Sequence, residues 1–374
     1  MSAPVTKALI AAALYRTGAH RLVASWLGLA RMPLIIAYHR VVEDFAEAAR
    51  GSLPAMLVSV RTLERQLDWL ARHFELISLE EIGPRLERGG RRKPPCAITF
   101  DDGYADVYTH ALPLLLRKGI PAGIFVVTDL VGTRGLHAHD RLFLALSRAF
   151  ARGAAPLPGL ERMLGELGLD PPEAAGLARA ADSASAGTPL LLDALRRDQV
   201  RALLEFLEGR YGRVASDHDG QQPMSWPMLE TLSRAGFTIG SHTREHALLT
   251  NEDGATMVHE TLGSRLALEA RLGVPIEHFA YPRGCFDAEA AAATAAAGYR
   301  YGYTTCLHRD ATYPRLTIPR SVFWEGTCVD AAGRFSAELM GCQVHGVFAF
   351  RNQCLHRRRT AASAPPLLRA GSAR

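Results

Sequence analysis

Short apolar runs alternate along much of this chain with stretches whose apolar residues recur at helical spacing, the two periodicities of strands and helices. Residues 32–42, MPLIIAYHRVV, carry a proline and then a β-branched apolar run ending in Tyr38-His39-Arg40, the pattern of a buried strand. Leu63, Leu67 and Leu70, then Ile82 and Leu86, predict helix across 55–92, with a short strand at 74–77 between them. A basic turn at 89–93 leads into a strand at 97–102, AITFDD, which stops at two carboxylates before Gly103. A helix over roughly 107–117 ends at Gly119 and Pro121, and 122–128 is again an apolar strand. This order predicts an α/β protein whose parallel sheet is built from right-handed crossovers.

From 137 to 222 the pattern changes. The chain becomes rich in alanine, leucine and arginine, and Pro156, Pro158, Pro171, Pro172 and Pro189 break it into short helices without a convincing strand. It reads as a helical insertion, with His137, His139 and Asp140 expected on its surface. Alternation then resumes, with helices at 226–235, 253–272 and 287–297 and strands at 237–241, 277–281, 299–305 and 315–323. A helix within 334–354 and a loose basic tail from 357 follow. At the other end, the apolar core at 8–14 is too short and too interrupted, by Tyr15, Arg16 and His20, for an export signal. Residues 1–31 read instead as amphipathic helix, with Leu14, Leu22, Val23, Trp26 and Leu27 on an apolar side among Arg16, Arg21 and Arg31. That side packs on the protein's own body or, in the sharper reading, lies on a membrane surface. The expected organisation is an N-terminal segment (1–31), a body in two pieces (32–136 and 223–330), the insertion (137–222) and a C-terminal helix with tail (331–374).

Composition narrows the classes. A chain of 374 residues with 48% hydrophobic and 22% charged residues is not globally disordered. The net charge is +5, with no basic stripe interleaved with aromatics, so a nucleic-acid partner is not expected. Six cysteines without close spacing predict free thiols, which suits a reducing compartment. With no export signal, the expected location is the cytoplasm or the inner membrane surface.

The chemistry lies at strand ends. His242 and His246, in GSHTREHALLT, are four residues apart, and a helical turn would put both imidazoles on one side. Two histidines with one carboxylate form a common set for a divalent cation, and Asp102 is the natural third ligand. A dication there lowers the pKa of water toward neutrality. Asp101, beside the ion but not bound to it, is then placed as general base. His39, ending its own strand, is as well read as a structural residue as a functional one.

The stretches ITFDDGYAD, SWPMLETLSRAGFTIGSHTREHALLT, HETLGSRLALEARLG and FAYPRG resemble the successive motifs of the NodB-like polysaccharide deacetylases, carbohydrate esterase family 4. The resemblance covers 33–135 and 223–325. It implies a distorted (β/α) barrel, here with a helical insertion, that removes N-acetyl groups from amino sugars of a glycan with metal-activated water. It places the metal on Asp102, His242 and His246 and the base on Asp101. Zn2+ is the expected ion, although the ligands tolerate cobalt, iron or nickel.

Two positions depart from that pattern. Ala280 stands where the third motif carries an arginine that orients the base, and Arg320 is the candidate replacement. Tyr281, Pro282 and Arg283 are then expected to line the acetyl pocket, with a backbone N–H of 281–284 holding the oxyanion. A C-terminal LxH motif, the usual source of the acid, is not visible, and His345 and His356 qualify only by residue type. The leading IAYHRV resembles a permuted branch that deacetylates bacterial poly-N-acetylglucosamine, in which the histidine of this strand is the acid, so His39 receives that role. The rival readings are a hydrolase of a non-sugar linear amide and a catalytically silent carbohydrate-binding protein of the same fold.

Overall fold

Parallel pairing dominates the architecture. The computed structural model describes residues 3–28, 32–88, 93–152, 157, 159–214 and 221–348. Its strands are β1 (Leu34–Tyr38), β2 (Arg40–Val42), β3 (Leu57–Ser59), β4 (Glu75–Leu76), β5 (Pro95–Phe100), β6 (Ala122–Val126), β7 (Thr238–Ser241), β8 (His278–Ala280), β9 (Tyr301–Thr304), β10 (Ile318–Pro319) and β11 (Ser321–Val322). The main sheet runs β10-β9-β8-β7-β6-β5-β1-β11, with β4 also on β5, while β2 and β3 pair separately.

The expected strand at 315–323 is in fact two. Arg320 separates β10 from β11, which stand at opposite ends of the sheet path. Arg320 N–H donates to Thr304 at 2.7 Å and Phe323 N–H to Ala37 at 2.8 Å, so this one segment draws the two edges together into a distorted barrel. Side chains alternate accordingly. Ile35, Ala97, Phe125, Ala280, Tyr303 and Ile318 fill the inside. Ile36, Ile98 and Phe100 face the outer layer, where helix Val60–His73 contributes Leu63, Leu67 and Leu70. The same parity turns Thr99 and Asp101 inward, toward Arg320.

Helices Ala138–Ala151, Leu160–Glu166, Pro171–Ala180, Ala184–Ala194 and Arg197–Tyr211 enclose a second core around Leu142, Leu146, Leu160, Leu203 and Leu207. Ion pairs fasten this body to the barrel loops: Asp193 to Arg283, and Arg197 to Glu245 at 2.8 Å and to the fully buried Glu260 at 3.1 Å.

At the N-terminus, helix Ala3–Arg16 packs on helix Ala337–Val344 through Ala11, Leu14 and Tyr15 against Leu339 and Cys342. His20 stacks on Tyr15 and meets His345 edge-on, so the buried side of helix Ala19–Trp26 is His20 and Ala24. Leu22 and Trp26 are 72% and 77% exposed, and Arg31 lies outside the described residues. Among the described residues no helix is long and apolar enough to cross a membrane.

The cysteine expectation needs correction. Cys96, Cys285, Cys328 and Cys342 are free, but Cys306 is disulfide-bonded. Spacing along the chain cannot foresee this, because pairing needs only that the fold bring two Cα atoms within about 7 Å. The thiols therefore no longer argue for a reducing compartment. Cys354, His356, the basic residues 89–92 and the tail lie outside the described residues.

Candidate active site and metal centre

Strand ends deliver most of the site. Asp101 and Asp102 follow β5, and the Asp101 N–H donates to Tyr38 at 2.8 Å. Asp102 then turns left-handed at φ 71°, as does Gly103 at 72°. A Cβ on residue 103 would stand 2.8 Å from a Val126 methyl, so glycine is required there twice over. His242 follows β7 and donates its N–H to Val126 at 2.9 Å.

The histidine pair is not on a helix, contrary to the spacing argument. Thr243 and His246 take φ 69° and 61°, and these two left-handed residues fold the loop so that the imidazoles converge. Such backbone costs about 1–3 kcal/mol per residue and persists where the surroundings hold it. Here Glu260, buried on helix Gly254–Leu272, accepts hydrogen bonds from the N–H groups of Arg244 (2.9 Å) and Glu245 (3.0 Å). Sequence reasoning missed this residue, for one glutamate in a helix carries no mark of its burial.

Asp102 is the meeting point. Its Oδ1 lies 3.5 Å from His242 Nε2 and 3.3 Å from His246 Nε2. Both carboxylate oxygens are buried without a hydrogen-bond partner. His242 Nδ1 donates to the Ala280 carbonyl at 2.7 Å, which leaves Nε2 as an electron pair aimed at Asp102. Burial raises the Asp102 pKa well above the usual carboxylate value, and the charges of Asp101 and Asp140 raise it further. Burial lowers both imidazoles, and His246 falls well below 6.5. An orphaned carboxylate facing neutral imidazole nitrogens is a donor set that fits a divalent cation, whose charge would reverse the cost of ionising Asp102.

The insertion reaches this point too, which the sequence reading did not foresee. His137, His139 and Asp140, expected on the surface, are 0%, 4% and 1% exposed. They open helix Ala138–Ala151, whose first turn enters the barrel mouth. His139 Nε2 lies 3.8 Å from Asp102 Oδ2 and 2.6 Å from the Tyr104 hydroxyl, which donates to Asp140 at 2.6 Å. Surface placement was inferred from polarity within an insertion, and the tertiary docking overrides it.

Asp101 has a different environment one residue back. Arg320 grips it with two bonds of 2.7 Å from Nη1 and Nη2, and Nη1 also reaches Thr99 at 3.1 Å. Burial alone would lift the Asp101 pKa, but Arg320, His242 and His39 together bring it below the ordinary carboxylate value. Arg320, between β10 and β11, thus clamps the carboxylate, a contact for which Ala280 has no side chain. His39 ends β1, with Nδ1 sealed from solvent and unpartnered. Burial drives its pKa down to about 4, against the pull of Asp101 and with the push of His242, Arg320 and Arg283. At pH 7 this imidazole is neutral.

The loop at 281–284 holds its side chains in two environments. Tyr281 is fully buried against Phe279 and Phe286 and Pro282 is buried, while Arg283, at φ 57°, is engaged by Asp193 of the insertion. The Tyr281 and Gly284 N–H groups are taken up by the Tyr303 and Tyr281 carbonyls. His345 Nδ1 donates to the Gly341 carbonyl at 2.7 Å, against the N-terminal helices and away from this cluster.

This chain is similar to known proteins. The polysaccharide deacetylase family model matches residues 88–153 and 180–302, its interruption falling inside the insertion. A poly-beta-1,6-N-acetyl-D-glucosamine N-deacetylase from Staphylococcus epidermidis is 32% identical over 112 residues, 28% of this chain and 39% of that protein. Its counterpart from Staphylococcus aureus is 33% identical over 86 residues, covering 23% and 30%. The match therefore spans about two fifths or less of those relatives' length. A solved polysaccharide deacetylase from Bacillus cereus aligns at TM-score 0.50 and 16% identity over 84% of this chain and 69% of that one, a likeness of fold. With the matched segments carrying the aspartate pair and both loop histidines, this chain belongs to the polysaccharide deacetylase family.

Proposed function

We propose that this protein is a metal-dependent hydrolase that removes N-acetyl groups from an amino-sugar-containing glycan, with Asp102, His242 and His246 holding Zn2+. The observation that carries this reading is the division of labour between adjacent carboxylates. Asp102 faces imidazole nitrogens at 3.3 and 3.5 Å, while Asp101 is clamped by Arg320 and ionised. The ion, when bound, polarises the acetyl carbonyl and acidifies water.

Asp101 takes the proton of the attacking water, and Arg320 fixes its orientation and keeps it charged for that task. The Arg283 N–H is the chain's own donor for the developing oxyanion. His39 gives the departing nitrogen its proton. Because burial keeps this ring neutral at pH 7, it must receive the proton removed from water rather than hold one beforehand. The glycan of the staphylococcal relatives, poly-β-1,6-N-acetylglucosamine, is the first substrate to try.

Acetate release from N-acetylglucosamine oligomers, measured with metal-loaded protein, tests the reading. Chelation and His242→Ala should each abolish turnover, and full activity after either would overturn it. We also propose that Leu9, Ile10, Leu22 and Trp26, which project from the N-terminal helices near Lys7, Arg16 and Arg21, rest on an anionic membrane surface. Sedimentation with anionic vesicles, reduced by Trp26→Glu, checks this.

A further inference from the structure

We propose that the helical insertion supplies a further ligand to the same divalent ion, His139, beside Asp102, His242 and His246. The inference rests on the metal site of the preceding reading and adds to it a residue from outside the barrel.

Geometry is the first ground. Ligand atoms 2.0–2.2 Å from a tetrahedral ion stand about 3.3–3.6 Å apart. His242 and His246 approach Asp102 Oδ1 at 3.5 and 3.3 Å, and His139 Nε2 approaches the other oxygen, Oδ2, at 3.8 Å, within a few tenths of an ångström of that spacing. Asp102, His139 and His246 each offer a donor atom within 4.8 Å of the other two. The His139 and His246 rings are 5.2 Å apart, close to the 4.9 Å between His246 and His242.

The second ground is an unmet need. Asp102 Oδ2 is buried with no hydrogen-bond partner, and an orphaned carboxylate oxygen is costly unless a cation or donor meets it. The third is support. Tyr104, bonded to Asp140, stands against His139 Nε2, and His137 stacks on the ring at 5.1 Å and 18°. Because Tyr104 donates to Asp140, its oxygen accepts the Nε2 proton of His139 when no ion is bound; ligation moves the ring proton to Nδ1 and displaces the Tyr104 hydroxyl from Nε2. Asp193 and Arg197 tie the insertion to the barrel loops at this position. Three imidazoles and one carboxylate form a fuller set than the barrel alone provides, and water or the acetyl oxygen then enters as a fifth ligand.

X-ray absorption of the zinc-loaded, full-length protein should count three imidazoles, and this needs no variant. Chelator competition should show zinc affinity falling at least about 100-fold in His139→Ala, beyond the 10–100-fold loss typical of an outer partner. Thermal melting confirms that each variant is folded. Two imidazoles in the wild-type protein, or a His139→Ala affinity within about threefold of it, overturns the proposal. His246→Ala separates the two levels. If that variant binds zinc normally, the barrel site itself is wrong; if it loses zinc while His139→Ala does not, only the fourth ligand falls.

Discussion

The barrel mouth and the insertion that covers it are built on opposite principles. In the barrel, functional side chains hang from strand ends whose positions are fixed by parallel pairing on both sides, as where β5 lies between β1 and β6. In the insertion, the helices are held by their own core, and the cluster His137-His139-Asp140 meets the barrel only at one helix start and a few ion pairs. A sheet transmits position residue by residue, so its contribution is rigid and repeated in sequence motifs. A docked helical body transmits position through a few contacts, so its contribution depends on how it sits.

That contrast can be tested, starting with the largest effect. Asp101→Asn should lower kcat by about 10²–10⁴-fold while metal content stays unchanged, since the ligands are other side chains. Loss of metal in this variant would merge the two carboxylate roles. Arg320→Ala should cost about 3–5 kcal/mol in stability, because it leaves a buried carboxylate without its cation. It should also move the acid limb of kcat/KM to higher pH. Arg320 holds the Asp101 pKa down, the base works only when ionised, and its removal lets burial raise that pKa. A pH profile identical to wild type would show that Arg320 does not tune Asp101.

Leu203→Ala probes the other region. It should cost about 2–5 kcal/mol, felt in the insertion, where Leu203 is fully buried. Hydrogen exchange should quicken across 138–211 while β5 and β6 keep their protection. Equal loosening of both would mean one cooperative unit rather than two. Glu260→Gln keeps the shape of the side chain but weakens its acceptance of two N–H groups, and zinc affinity should drop near the lower end of the 10–100-fold range for outer partners. An unchanged affinity would show that the left-handed loop holds itself.

Much of the barrel was legible because its signals are local. A proline before a β-branched run gave β1, and AITFDD gave β5 and the carboxylates at its end. The GSHTREH stretch marked the loop histidines, though for a wrong local reason, since left-handed residues at 243 and 246, not a helical turn, bring them together. Arg320 was readable only as a residue type; its reach to Asp101 follows from a segment that joins both edges of the sheet.

The order of strands, the two aspartates and the histidine pair were determined by the sequence itself, because hydrophobic periodicity and turn residues act over a few positions of chain. Which imidazoles share a carboxylate, that a glutamate pins the loop, that Cys306 is paired, and that His139 belongs to the barrel mouth were decided only in three dimensions. Those contacts join residues tens to hundreds of positions apart, and no local periodicity records where a docked helix comes to rest.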